Sequence, residues 1–257
     1  MDEQFNGNSV SDFSLTIVTC YMFDIQSFMN TLNSVESFIG KSVSNIEWLV
    51  WDATGQNSLI EVINDCRVKN ISYYSQKDQG LYDGLNQSMQ KAKGEYVLVI
   101  NSGDRVLPVL GEVVELLDSN IEDGNGIDVF ACPVATWKGK VIRPNSNLTR
   151  FVHQGLVYRK QLHDKYGKYS SLVRFTAADY LFFMIVFCDK STTVQFVDKP
   201  IAYYDRPGLS ANALHFVQRD VIKAAAEGRG VMLTLLSIVR SVIRFSIMTV
   251  YNRLFWK

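Results

Sequence analysis

Asp52 closes the apolar run Ile46-Glu-Trp-Leu-Val-Trp51, and Asp104 follows Tyr96-Val-Leu-Val-Ile100 after a small Asn101-Ser-Gly103 turn. Carboxylates at adjacent strand ends are expected to face one cleft. Asp104 suits a divalent cation, because a hard cation takes oxygen ligands and uses only one or two carboxylates when a substrate diphosphate supplies the rest. Each Asp taken alone reads equally well as the cap of the turn or helix that follows it. Between them, Gln76-Lys-Asp-Gln-Gly-Leu-Tyr-Asp-Gly-Leu-Asn86 opens a helix with Asp78, Gly80, Tyr82, Asp83 and Asn86, and such a polar, glycine-containing helix start can approach an anion closely. Asp179 stands before the apolar run Tyr180–Phe187. Desolvation there is expected to raise its pKa toward that of a useful base, the helix N-terminus opposing the shift. A plain helix cap is the alternative. His153 is either an acceptor-site residue or a hydrogen-bonded histidine at a strand end.

These residues need a scaffold, and the hydrophobic pattern supplies one. Short apolar runs (residues 15–20, 46–51, 71–74 and 96–100) alternate with stretches in which apolar residues recur at helical spacing, as at Ile25, Phe28, Leu32, Val35 and Ile39. That pattern predicts βαβ units and a mostly parallel sheet. A helix over 82–93 should end at Gly94 as C-cap. A further helix over 109–117, a strand over 127–134, a hairpin turning at Lys138-Gly139 and a helix over 176–187 complete the body. In open sheets of this kind ligands bind beyond the carboxyl ends of the strands, which is where Asp52 and Asp104 fall. The third glycine of a dinucleotide fingerprint starting at Gly124 would be Val129, and phosphate-loop, H-E-x-x-H and G-x-S-x-G motifs are absent.

Three segments together carry a likeness: Asp52-Ala-Thr-Gly-Gln-Asn-Ser58, Lys77-Asp-Gln-Gly-Leu-Tyr-Asp-Gly-Leu-Asn-Gln87 and Gly94-Glu-Tyr-Val-Leu-Val-Ile-Asn-Ser-Gly-Asp104. With His153-Gln154 and Ala178-Asp179-Tyr180 behind them, residues 14 to 210 resemble the family 2 glycosyltransferases of GT-A fold. The likeness is greatest to the bacterial branch that builds colanic acid, O-antigen and other exopolysaccharides. It implies an α/β GT-A domain: a Rossmann-like, mostly parallel central sheet flanked by helices, followed here by an amphipathic helical tail. It also implies a UDP- or GDP-sugar donor and a divalent cation, Mn2+ or Mg2+. Asp52 would contact the nucleotide base with Thr19 and Tyr21 beside it; Asp78, Asp83, Asn86, Ser102 and Asp104 would serve the donor, Asp104 holding the metal. Asp179 would be the catalytic base, and His153 and Gln154 acceptor-site residues.

Two departures bear on this. Ser102 replaces the first acid of the family's D-x-D, which points to weak metal binding, and Asn57 replaces the second Asp of the loop after Asp52. They motivate an alternative, a degenerate homologue that binds a saccharide or partner without catalysis. The Q-x-x-R-W motif of processive synthases is missing, so transfer of a single hexose or deoxyhexose is expected.

The chain of 257 residues carries 26 Lys+Arg against 26 Asp+Glu, a net charge of zero that argues against nucleic acid as partner. Four cysteines without motif spacing and a polar N-terminus lacking an apolar stretch suggest a cytosolic protein. From Gly228 to Lys257 the charged residues are Arg229, Arg240, Arg244, Arg253 and Lys257, with no acid. Arg240 and Arg244 cut the apolar run well short of the roughly 18 to 20 residues a span needs, so the tail reads as an interfacial helix. The expected organisation is a disordered tail (1–13), a nucleotide-sugar half (14–105), an acceptor half (106–215) and the amphipathic tail (216–257). The protein is expected on the inner face of the cytoplasmic membrane, its tail on anionic lipid and its acceptor a lipid-linked saccharide.

Overall fold

The computed structural model describes residues 13–40, 45–124, 126–205 and 213–255. The first half alternates β1 (Phe13–Tyr21), α1 (Ile25–Ile39), β2 (Ile46–Asp52), α2 (Ile60–Asn64), β3 (Ile71–Ser75), α3 (Leu81–Lys91) and β4 (Gly94–Val99). There follow β5 (Arg105–Val106), α4 (Leu110–Glu122), β6 (Val129–Ala131), β7 (Val134–Thr136), β8 (Val141–Ile142) and a single 3₁₀ turn, His153–Gly155. The chain continues through β9 (Leu156–Arg159), α5 (Leu162–Tyr166), α6 (Ala178–Cys188), β10 (Val194–Phe196), β11 (Ala202–Tyr204), α7 (Ala213–Ala226) and α8 (Val231–Phe255).

Seven strands form the main sheet in the order β10-β6-β9-β4-β1-β2-β3. All pairings are parallel except those of β9 with β4 and β6. Because both faces are covered, β2 is buried along its whole length and its side chains alternate between two cores rather than between core and water. Trp48 and Val50 join Phe28, Leu32 and Val35 of α1 on one face. Leu49 and Trp51 join Leu85 of α3 and Phe183 of α6 on the other. Asp24 starts α1 by accepting the Ser27 amide at 3.0 Å. The predicted nucleotide-sugar and acceptor halves share this sheet, since β6, β9 and β10 continue it beyond β4.

Several expectations need correction. Asp52 and the Asp104 turn end strands that flank β1 and are therefore not neighbours. Gly94 is no C-cap: α3 ends at Lys91, and Gly94 opens β4. A Cβ there would stand 2.4 Å from the Thr16 amide nitrogen of β1, so glycine is required by strand approach. The apolar run over 127–134 breaks at Cys132-Pro133 into β6 and β7, which belong to different sheets, proline lacking the amide a continuing ladder needs. The hairpin at Lys138-Gly139 is present, β7 pairing antiparallel with β8. The helix expected over 109–117 runs on as α4 to Glu122. The tail forms a helix, α8, and among the described residues no helix is long and apolar enough to cross a membrane. The N-terminal tail expected over 1–13 lies outside the described residues, save Phe13 in β1.

Candidate active site

The carboxyl ends of β1, β2 and β4 open on one side of the sheet, and the turn after β4 carries the densest polar arrangement. Gly103, with φ +102°, lets the chain reverse sharply, and its amide donates to Thr31 Oγ1 of α1 at 2.9 Å. The Thr31 hydroxyl in turn donates to the Asp104 carbonyl at 2.7 Å. Asp104 is 5% exposed. Its Oδ2 accepts the Gln154 side-chain amide at 2.6 Å and its Oδ1 the Asp205 amide at 3.1 Å. Burial pushes its carboxyl up to about 6, against the lowering effect of these two bonds and of His153. Ser102 Oγ, two residues before it, is buried without a hydrogen-bond partner among the described residues.

That orphaned hydroxyl beside a buried carboxylate fits a single hard cation whose remaining ligands come from a diphosphate. Among the described residues no group of three or more His, Cys, Asp or Glu side chains is placed to hold a metal by itself. Asp104 and Ser102 would therefore hold the ion only with help from substrate, and the ion would neutralise charge on a departing diphosphate.

Asp179 stands at the start of a helix, as expected, but its electrostatics are the reverse of those expected. It lies in the first turn of α6, where the N-cap is Ala177 and makes no side-chain cap bond, so Asp179 is free to turn away from the helix. Its Oδ2 is 2.7 Å from His153 Nδ1, and its Oδ1 accepts from the Tyr82 hydroxyl at 2.9 Å. Burial alone would raise its pKa; the His153 and Tyr82 contacts overcome that and hold it at about 2. The expected upward shift thus does not occur, because the burial came with donors. His153 Nε2 lies 3.3 Å from Asn101 Nδ2. Two hydrogen-bonded sets, Asp104 with Gln154 and Asn101 with His153, Asp179 and Tyr82, thus meet at the His153-Gln154 turn.

The other predicted donor residues divide. Asp78 and Asp83 shape the start of α3: Asp78 accepts the Gly80 amide and the Trp51 indole at 2.9 and 3.0 Å, and Asp83 accepts the Gln79 amide at 2.9 Å. Both remain partly exposed at the cleft. Asp52 is buried and fastens the loop after β2, accepting from Thr54 N (2.9 Å), Thr54 Oγ1 (2.6 Å), Ser58 N (2.8 Å), Tyr73 (2.7 Å) and Ser75 (3.1 Å). Burial opposes ionisation, but these donors keep its pKa below the ordinary value. Tyr21 packs edge-on against Phe28 with ring centroids 5.5 Å apart, and burial together with the Asp52 and Asp24 charges raises its hydroxyl pKa.

Two residues predicted to serve the donor do not line the cleft. Thr19 is fully buried and its hydroxyl accepts the Trp48 indole at 3.0 Å. Asn86 donates to the Tyr169 carbonyl at 2.8 Å and accepts the Tyr169 amide at 2.9 Å, tying α3 to the loop before α6. Two participants had no role assigned from the sequence: Tyr82, named there only within the polar start of α3, and Asn101, which opens the Asn-Ser-Gly-Asp turn. Their only signal was adjacency to motif residues. His215 is buried on α7 and donates through Nδ1 to Thr176 O at 2.9 Å, near the same centre.

Known proteins match the chain at the level of sequence family and of fold. The family model described as Glycosyl transferase family 2 matches residues 17–182. Among solved structures, S. aureus TarS residues 1–349 in complex with UDP-GlcNAc is 15% identical and superposes with a TM-score of 0.64 over 95% of this chain and 76% of that one. TarS 1–349 in complex with UDP gives 15%, 0.64, 91% and 70% in the same order. The mannosyltransferase PcManGT from Pyrobaculum calidifontis, in complex with GDP-Man and Mn2+, gives 14%, 0.64, 95% and 76%. None of the curated proteins compared with the chain matches it.

Proposed function

Because the chain belongs to glycosyl transferase family 2, and so is a glycosyltransferase using a nucleotide-sugar donor, we propose that it is the inverting enzyme of a single addition. It moves one hexose or deoxyhexose from a UDP- or GDP-sugar to a hydroxyl of a polyprenyl-diphosphate-linked saccharide, in the making of a bacterial surface polysaccharide. The observation that carries this reading is the turn that brings the two carboxylates together, Gln154 bonding Asp104 while the adjacent His153 bonds Asp179. It brings a place for a diphosphate and its cation beside a place where an acceptor hydroxyl can lose its proton, which is what direct displacement at an anomeric carbon requires. Asp78, Asp83, Ser102 and Asp104 face the donor, with Tyr21 and Asp52 buried behind them as support. Gln154 orients Asp104, and Asp179 belongs to the proton-accepting centre. Complexes of similar structures with UDP-GlcNAc and with GDP-Man and Mn2+ support both the donor class and a divalent cation.

The lipid-linked acceptor and a place on the cytoplasmic face of the membrane draw support from α8. Val231, Met232, Leu233, Leu235, Leu236 and Val239 are exposed on it, in a segment whose charged residues are all basic. An exposed apolar helix with basic edges lies in a headgroup layer and is attracted by anionic lipid. The testing experiment is transfer of radiolabelled sugar from a panel of UDP- and GDP-sugars to a membrane extract, with and without Mn2+. Asp104→Asn is expected to lose both turnover and the response to Mn2+. Transfer unaffected by that change would overturn the assignment of the donor side.

A further inference from the structure

The pair Asp179–His153 leaves open which member receives the proton, and the geometry decides it. Resting on the transferase reading above, we propose that His153 Nε2 takes the acceptor hydroxyl's proton and that Asp179 is the positioning residue which holds the ring. A carboxylate only accepts hydrogen bonds, so the 2.7 Å contact between Asp179 Oδ2 and His153 Nδ1 places the ring hydrogen on Nδ1. The lone pair is then on Nε2, where it accepts from Asn101 Nδ2 at 3.3 Å. Both oxygens of Asp179 are engaged, Oδ2 by the imidazole and Oδ1 by Tyr82. A carboxylate so well satisfied is a weak base but a good support for an imidazolium.

Asn101 Oδ1 supplies the other half of the argument, being buried without a partner among the described residues. When Nε2 gains a proton it needs an acceptor in place of a donor. A half-turn of the Asn101 amide presents Oδ1 to it, so one side chain serves both protonation states. In the step itself the acceptor's O–H bond breaks and its proton passes to Nε2. The acceptor oxygen forms its bond to the anomeric carbon, and the bond from that carbon to the diphosphate breaks with the electron pair leaving on the diphosphate. The other ionisable groups that act on the ring through their charge are Asp104 from the turn after β4 and His215 from α7.

Two measurements test this. In the long-range 1H–15N NMR spectrum of the intact protein, His153 is expected to carry its ring hydrogen on Nδ1 in wild type and on either nitrogen in Asp179→Ala. An Nε2–H tautomer in wild type would overturn the proposal. In donor hydrolysis, with water replacing the acceptor and a panel of UDP- and GDP-hexoses as probes, His153→Ala should lower kcat by about 10²- to 10⁴-fold with donor KM unchanged. Added imidazole should restore part of that loss, and none of the loss in Asp179→Ala. His153→Asn, which keeps an amide donor toward Asp179, should behave as His153→Ala and guards against misfolding. Turnover within tenfold of wild type in a folded His153 variant would return the role of base to Asp179. A wild type that turns over no donor would remove the transferase reading, while the tautomer still judges the pair.

Discussion

Asn86 uses both ends of its amide on the backbone of Tyr169, in a place closed to water. Replacing it by Ala leaves a buried N–H and a buried C=O without partners, each costing about 1–3 kcal/mol. Asn86→Ala is therefore expected to lower the unfolding free energy by roughly 2–4 kcal/mol in urea titration. Asp179 gives a second expectation, with a definite sign. Its folded pKa, about 2, lies below the unfolded value, so its stabilisation is complete above about pH 4 and is lost as pH falls through 2. Between pH 5 and pH 2 wild type should lose on the order of 2 kcal/mol more than Asp179→Asn. Carboxylates bordering apolar runs pointed to Asp104, which follows the run of β4, and to Asp179, which precedes the run of α6. The bonds of Thr19 and Asn86 were not legible. Nothing in a linear pattern says that the Trp48 indole reaches across to the neighbouring strand, or that a helix amide will meet a loop 83 residues further on.

At the scale of elements, β1, β2 and β4 could be read almost to their ends, since strands buried on both faces are continuous apolar runs. β6 and β7 could not be separated so easily, their run being unbroken in polarity and divided only by Pro133. The His153–Gly155 turn owes its position to a close approach. Gly155 O accepts the Cys132 amide at 2.8 Å, and a Cβ on Gly155 would fall 2.3 Å from the Cys132 carbonyl oxygen. Gly155→Ala must displace either β6 or the turn that bears His153 and Gln154. It is expected to cost about 1–3 kcal/mol in thermal unfolding and to lower kcat as well. Gly126→Ala, where a Cβ meets nothing within 4 Å, is the matched control and should leave both unchanged.

At the scale of the whole molecule, a chain of zero net charge ends in a helix with exposed aliphatic side chains and a basic edge. The expected outcome is sedimentation with vesicles containing phosphatidylglycerol and little with phosphatidylcholine alone. Arg240→Glu should weaken that binding by roughly tenfold, the reversal removing one attraction of about 1 kcal/mol and adding a repulsion. Added salt should have the same direction of effect. Meanwhile α3 ties together what the two substrates would use. Its first turn carries Asp83, proposed above for the donor side, while Tyr82 and Asn86 hold the loop and helix that bear Asp179. A helix clamped in this way cannot shift for one ligand without shifting for the other. Linkage makes such an influence mutual, so a donor that tightens acceptor binding must itself be tightened by the acceptor to the same degree. Initial-rate kinetics should then show a compulsory order of addition, donor before acceptor, with Asn86→Ala relaxing it toward random.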